Sequence, residues 1–256
     1  MNLIRPLWAG SAHVQSAMTT RLGGVSAAPY DSLNLGYATD DARPHVTANE
    51  QRVATALGVP LSTLRWVYQV HGCDVHHAEA LPVNEPPGSA HDKGDAIVCR
   101  TAGLVCGVKV ADCMPVLFAA ADGSVVAAAH AGWRGLSAGV LERTVSAMAV
   151  APEQLDVWLG ACIGPQAFEV GAEVRAAFVA HDAQAATHFM PSTNAQNAQK
   201  FLCDLYAIAR QRLNALGISR ISGGEYCTFS QPDLFFSHRR DRVSGRMAAF
   251  VWIDAR

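Results

Sequence analysis

The fold is decided by residues 95–135, which run DAIVCRTAGLVCGVKVADCMPVLFAAADGSVVAAAHAGWRG. This stretch contains four short apolar runs, at 95–99, 104–110, 115–120 and 125–130. Runs of this length between turn signals are typical of strands that are buried on both faces. The stretch therefore predicts a group of buried strands at the centre of the molecule.

Outward from this centre, the sequence alternates between strand and helix patterns. Further strands are predicted at 14–20, 64–70, 156–161 and 246–253. Helices are predicted at 45–57, 136–150, 172–180 and 201–216. Loops or surface connections are predicted at 23–36, 82–88 and 184–199. The alternation indicates an α+β fold, a mixed β-sheet core flanked by helices, in a single domain over residues 1–256.

Composition narrows the classes of function. Half of the 256 residues are hydrophobic and the formal net charge is −2, so no basic field is present to attract nucleic acid. No apolar run approaches the ~20 residues of a membrane-spanning helix, and no leader pattern is visible. Seven cysteines without a CxxC pair argue against a disulfide framework. We expect a cytoplasmic monomer or small homo-oligomer with no membrane or nucleic-acid partner.

Three potential metal ligands lie at the ends of predicted strands: His71, Cys113 and His130. Two imidazoles and a thiolate suit zinc, and three protein ligands leave one coordination position open, as in catalytic zinc sites. Each residue has an alternative interpretation. Either histidine is also typical of a hydrogen-bonded core imidazole, and Cys113 of a buried thiol or a catalytic nucleophile.

Two carboxylates flank these candidates. Asp95 and Asp112 border apolar runs, and each suits either a strand-end cap or a carboxylate that orients a ligand imidazole. The histidines at 76 and 77 lie on a predicted strand and point to opposite faces, so we leave them outside the metal set.

Several motifs occur in an order that resembles the YfiH family, also called the polyphenol oxidase or laccase-domain family. They are TTRLGGVS (19–26), SLNLG (32–36), QVHG (69–72), GDA (94–96), ADCMPVL (111–117), HAGWRG (130–135), ACIGP (161–165), FEVG (168–171) and FFSHRR (235–240). The resemblance extends from about residue 14 to residue 253. Val110, Cys99 and the pair Gln166-Ala167 depart from the usual residues, without removing a proposed ligand.

The resemblance implies a fold, a metal site and an activity. The fold is an α/β sandwich related to the bacterial toxin deamidase CNF. The metal site matches His71, Cys113 and His130, with zinc as the usual ion and copper as the alternative. The implied activities are purine nucleoside phosphorylase, adenosine deaminase and S-methyl-5′-thioadenosine phosphorylase. Older labels imply copper-dependent polyphenol oxidation, and bacterial members are also named peptidoglycan editing factor.

We therefore expect a zinc enzyme acting on a nucleoside and phosphate, with His71, Cys113 and His130 as both metal ligands and catalytic residues. Arg21 is the candidate phosphate clamp because its guanidinium suits bidentate binding beside Gly23-Gly24, with Asn34 lining the substrate site and Arg134 as a weaker candidate. Competing classes are a copper oxidase and a hydrolase with Cys113 as nucleophile, acting on a cell-wall precursor. The roles of Asp95, Asp112, Cys162 and His238 stay open.

Overall fold

The computed structural model of the protein describes residues 1–6, 13–82, 92–192 and 199–255. The strands are β1 (Leu3–Ile4), β2 (Val14–Thr19), β3 (Leu64–Arg65), β4 (Val75–His77), β5 (Ala96–Cys99), β6 (Val105–Val110), β7 (Met114–Ala120), β8 (Val126–Ala131), β9 (Leu155–Leu159), β10 (Glu169–Gly171), β11 (Phe189–Pro191), β12 (Lys200–Cys203), β13 (Arg220–Gly223) and β14 (Met247–Ile253). The α-helices are α1 (Arg43–Leu57), α2 (Trp133–Ala138), α3 (Val140–Met148), α4 (Ala172–His181), α5 (Leu205–Ala215) and α6 (His238–Asp241). Short 3₁₀ turns occupy Leu61–Thr63, Ala78–Ala80, Pro152–Gln154 and Ala183–His188.

Two large sheets form the centre of the fold. A five-stranded sheet has the order β1-β2-β14-β6-β3, and a six-stranded sheet has the order β13-β9-β7-β8-β5-β4. Both sheets are mixed, since β3 pairs in parallel with β6 and β4 with β5, whereas most other neighbours are antiparallel. A small third sheet has the order β10-β12-β11.

The layers follow from which side chains are buried together. Facing residues of the two large sheets share one apolar cluster, which includes Ile97 and Leu117 from one sheet and Val108 and Val251 from the other. Helix α1 covers the outer face of the five-stranded sheet, and helices α3 and α5 cover the outer face of the six-stranded sheet. The result is the predicted sandwich of sheets flanked by helices, and the four central runs are buried strands as expected.

Some local predictions were wrong because tertiary contacts or single residues override periodicity. The predicted helix over 136–150 is two helices, α2 and α3, because Gly139 between them has φ 97°. The predicted helix over 201–216 begins as strand β12, and α5 starts only after Asp204 caps the backbone N–H of Ala207. Only Leu64–Arg65 of the predicted strand 64–70 is in a ladder.

Two of the three predicted loops, 82–88 and 184–199, lie partly outside the described residues, which omit 83–91 and 193–198. The described beginning of the predicted loop 184–199 contains a 3₁₀ turn and strand β11. In the part of the chain that the structure describes, no helix combines the length and hydrophobicity required to cross a membrane.

Tyr206 connects helix α5 to the end of β9 and supplies a test of stability. Its buried hydroxyl accepts the N–H of Cys162 at 3.0 Å and faces the carbonyls of Gly160 at 3.0 Å and Tyr226 at 2.8 Å. Tyr206→Phe leaves these buried backbone groups without their partner, so we expect a loss of about 1–3 kcal/mol in the free energy of unfolding. Urea denaturation followed by circular dichroism measures this change.

The matched control is Tyr68→Phe, since Tyr68 is 37% exposed. Its free energy of unfolding should stay within about 0.5 kcal/mol of the parent. Equal stability of the two variants would contradict a structural role for the Tyr206 hydroxyl.

Candidate metal centre

Three loops or strand ends converge where the two large sheets meet. Cys113 lies in the tight connection between β6 and β7, which passes from one sheet to the other. His130 lies in β8, paired with Pro115 of β7. His71 lies in the segment between β3 and β4. The structure brings their ligand atoms together, all within 4.8 Å of one another, and the two imidazole rings meet edge to face with centroids 4.9 Å apart.

Asp95 organises both histidines from a fully buried position. Its carboxylate accepts consecutive backbone N–H groups from Val70, His71 and Gly72, at 3.2, 2.9 and 2.6 Å. This turn is an anion-binding concavity built from backbone amides, and it accommodates the left-handed φ of 61° at His71. The same carboxylate accepts Nδ1 of His130 at 2.8 Å. Because that contact commits Nδ1 to Asp95, Nε2 is the His130 nitrogen that would bind a metal, with loss of any proton that it carries.

Asp112 fixes the turn that presents Cys113. Its backbone has φ 81°, a conformation that is uncommon for a residue with a side chain. One carboxylate oxygen accepts the Thr228 hydroxyl at 2.6 Å and the other accepts the N–H of Arg239 at 2.7 Å. These contacts tie the turn to two distant segments of the chain. Asp95 and Asp112 thus both hold backbone conformations next to candidate ligands.

Gly132 leaves the space into which the thiol fits. A Cβ atom at this position would lie 2.8 Å from Cys113 Sγ and 3.3 Å from His71 Cδ2. The backbone of Gly132 has φ −67°, which any residue can adopt, so the requirement for glycine is steric. This contact explains the glycine in the His-Ala-Gly-Trp segment that follows β8.

The Cys113 thiol and the His130 imidazole stabilise each other's charged forms. Burial alone would raise the pKa of Cys113, but the charge of His130 and hydrogen bonds to both imidazoles lower that pKa to about 6. Burial alone would lower the pKa of His130, whereas the Cys113 sulfur and the Asp95 carboxylate raise it to about 9. The site therefore favours a thiolate, the form of cysteine that binds metals and acts as a nucleophile.

A cavity of about 1110 Å³ opens on these three side chains. On another part of its wall lies a polar cluster that the sequence did not reveal. Lys109 forms an ion pair with Glu50 at 3.0 Å, and its ammonium group lies over the rings of Trp66 at 4.1 Å and Tyr37 at 4.8 Å. Burial raises the pKa of Tyr37 to about 12. The only sequence signal was a lysine within the apolar run of β6.

Of the two arginines predicted to bind substrate, Arg134 lies in the cavity wall and Arg21 does not. Arg134 lines the cavity and stacks over the Trp133 ring at 4.6 Å. Arg21 is not in the cavity wall, because its guanidinium donates to Asp31 and to the carbonyl of Pro232 and stacks over Phe236.

Three further positions that the sequence singled out can also be located: Asn34, which was predicted to line the substrate site, Cys162 and His238. Asn34 is fully buried, and its side-chain oxygen accepts the N–H groups of Gly36 and Arg246 at 2.9 Å each, so it supports the scaffold behind the cavity. Cys162 is buried away from the cavity, whereas His238 is exposed and lines it.

This fold and this site define a class of protein: a two-sheet sandwich flanked by helices, with a candidate metal centre of two imidazoles and one thiolate at the mouth of a large cavity. A family model described as "Multi-copper polyphenol oxidoreductase laccase" matches residues 15–254. The chain belongs to this family.

Relatives of known name and structure cover nearly the whole chain. It is 48% identical over 251 residues to "Purine nucleoside phosphorylase YfiH" of Escherichia coli, covering 98% of each chain. It superimposes on the crystal structure of Neisseria meningitidis protein NMB0706 with a TM-score of 0.91 and 42% identity, covering 100% of both chains. The crystal structure of Bacillus licheniformis YfiH matches with a TM-score of 0.82 and 27% identity, covering 94% of this chain and 93% of that one.

Proposed function

We propose that this chain is a zinc-dependent purine nucleoside enzyme of the cytoplasm. Its reactions are phosphorolysis of purine nucleosides and of S-methyl-5′-thioadenosine, and deamination of adenosine. The observation that carries the proposal is the convergence of His71, Cys113 and His130, with ligand atoms within 4.8 Å of one another on a cavity large enough for a nucleoside. The name of the Escherichia coli relative supports the substrate class.

The three side chains fit zinc by their chemistry. Two neutral imidazole nitrogens and a thiolate are ligands that zinc prefers, and a set of three leaves a coordination position for substrate or solvent. The lowered pKa of Cys113 favours the thiolate that binds a metal, and the hydrogen bond from His130 Nδ1 to Asp95 orients Nε2 toward the site. When bound there, zinc supplies a Lewis acid facing the cavity.

The chain's own groups bind and orient the reactants. In phosphorolysis, a phosphate oxygen bonds to C1′ of the ribose, the bond from C1′ to N9 breaks, and its electron pair leaves with the base, which takes up a proton. In deamination, a water oxygen bonds to C6 and the amino group leaves as ammonia. The cationic side chains of the cavity wall favour an anionic reactant such as phosphate.

The test uses protein whose metal content has been measured. Adenosine, inosine and S-methyl-5′-thioadenosine are incubated with it, with and without phosphate, and products are separated by chromatography. We expect free base and a ribose 1-phosphate only when phosphate is present, and inosine with ammonia from adenosine in either case. Protein with stoichiometric zinc that releases no base in the presence of phosphate would contradict the phosphorylase assignment.

A second candidate is a cysteine hydrolase, because Cys113, His130 and Asp95 also form a thiol–imidazole–carboxylate series. In that case, chelator-treated protein stays active and iodoacetamide abolishes its activity. Loss of activity on zinc removal, with recovery on adding zinc back, excludes this reading.

The family description keeps copper oxidation as a further alternative. Metal analysis of protein purified without added metal, followed by polyphenol oxidation assays of the zinc and copper forms, separates the two metals. The described residues contain one group of three potential ligands within this distance, whereas a multi-copper site needs several.

A further inference from the structure

The cavity is cationic in a protein that is acidic overall. The chain has a formal net charge of −2, yet the described cavity wall carries Arg43, Lys109, Arg134, Arg239, Arg242 and Arg246 against the carboxylates of Glu50, Asp92 and Asp112. A concave wall of one sign of charge concentrates the opposite charge inside it. The cavity wall therefore favours the binding of an anion.

One of these cations and two of the carboxylates already have partners. Lys109 is paired with Glu50 at 3.0 Å. Asp112 uses both carboxylate oxygens, on the Thr228 hydroxyl and the Arg239 N–H. The carboxylate of Asp92 is buried on the wall, and its Oδ1 has no hydrogen-bond partner among the described residues. The cationic groups of the cavity wall that have no carboxylate partner are therefore arginines.

Three of the arginines, Arg239, Arg242 and Arg246, lie in one short segment of the chain. This segment approaches Cys113 at its first arginine, Arg239. Arg239 donates its backbone N–H to Asp112, the neighbour of Cys113. Its guanidinium is held by the Glu169 carbonyl at 2.8 Å and lies over the Phe168 ring at 5.2 Å. Arg246 is anchored by the carbonyls of Ser244 and Gly245. These contacts hold both guanidinium groups in place before any ligand arrives.

Arg242 differs from its neighbours because its side chain has no protein acceptor. Arg242 is exposed where it lines the cavity, and within the described ranges its guanidinium makes no hydrogen bond or ion pair. Its backbone has φ 63° and ψ −57°, a conformation that residues with side chains rarely adopt. Such conformations cluster at ligand-binding positions because the surrounding structure must enforce them.

We propose that Arg242, with Arg239 and Arg246 beside it, forms the subsite that binds inorganic phosphate next to the metal centre. Guanidinium groups match phosphate oxygens with paired hydrogen bonds. The subsite takes the place of Arg21, which lies outside the wall of this cavity. The inference rests on the proposed function for its phosphate, and it identifies the residues that bind it.

The experiment compares the full-length parent protein with Arg242→Gln, Arg242→Lys and the control Arg52→Gln, an exposed arginine of α1 outside the cavity wall. Calorimetry measures the Kd for inorganic phosphate, and steady-state kinetics measure the KM for phosphate and for inosine. Loss of a charged hydrogen bond weakens binding by roughly 10- to 100-fold, so Arg242→Gln should raise the phosphate Kd and KM by that factor. The KM for inosine should change far less.

The other variants sharpen the interpretation. Arg242→Lys keeps the positive charge but loses the paired N–H donors of the guanidinium, so its phosphate Kd should lie between those of the parent and Arg242→Gln. The phosphate Kd of Arg52→Gln should match that of the parent. An unchanged phosphate Kd and KM in Arg242→Gln overturns the subsite even when the parent cleaves inosine. Phosphate binding that depends on Arg242 in a protein that cleaves no nucleoside supports the subsite and rejects the proposed function.

Discussion

Replacing Cys113 with serine is expected to remove the bound metal and nucleoside turnover together. A serine hydroxyl stays protonated near neutral pH, so the site loses its anionic sulfur ligand and retains two imidazoles. Removing a residue that merely orients a ligand already costs about 10- to 100-fold in metal affinity, so loss of the ligand itself should exceed about 100-fold. Metal content after gel filtration and the rate of inosine phosphorolysis measure the two effects.

The matched control is Cys227→Ser, which alters a half-buried thiol outside the cavity wall. It should keep the metal content and the rate of the parent. Both variants must first show cooperative unfolding, so that a loss of metal is not a loss of fold. A Cys113→Ser protein that retains stoichiometric zinc would contradict the metal role, and if it were also inactive it would favour the nucleophile role of Cys113.

The sequence predicted the central strands because their cause is local. Short apolar runs between turn residues have few other stable conformations, and β5 to β8 formed within a residue of the expected bounds. The break at Gly139 and the strand before Asp204 depend on single residues within otherwise helical patterns. Periodicity over a window does not resolve such positions.

The candidate site likewise contains some residues that could be predicted from the sequence and others that could not. His71, Cys113 and His130 were predictable because they are soft ligands at the ends of apolar strands, where polar side chains are unexpected. The position of Arg21 was not predictable, because the Pro232 carbonyl that accepts from its guanidinium lies 211 residues away in the chain. Arg242 gave no signal, since one arginine in a basic run resembles any solvated edge.

Replacing Asp95 with asparagine is expected to weaken metal binding by about 10- to 100-fold, although Asp95 is not a proposed ligand. One carboxylate oxygen faces the Val70 and Gly72 N–H groups, and the other faces the His71 N–H and His130 Nδ1. All four backbone and ring nitrogens donate. An amide offers one oxygen and one NH₂ group, so whichever way it turns, its NH₂ meets two donors.

In either orientation, the asparagine amide disturbs one of the proposed metal ligands, His71 or His130. If the NH₂ group faces the backbone, the strained turn at His71 loses its acceptor, and if it faces His130, the imidazole loses the partner that keeps the proton on Nδ1. Repeated zinc titrations against a competing chelator measure the affinity, and urea denaturation of the metal-free protein measures an accompanying loss of about 1–3 kcal/mol. Asp122→Asn is the matched control, because Asp122 is exposed and its Oδ1 only accepts the N–H of Ser124. Parent-like zinc affinity in Asp95→Asn would mean that the His130 imidazole is oriented without the Asp95 carboxylate. It would contradict the expectation that Asp95 strengthens metal binding.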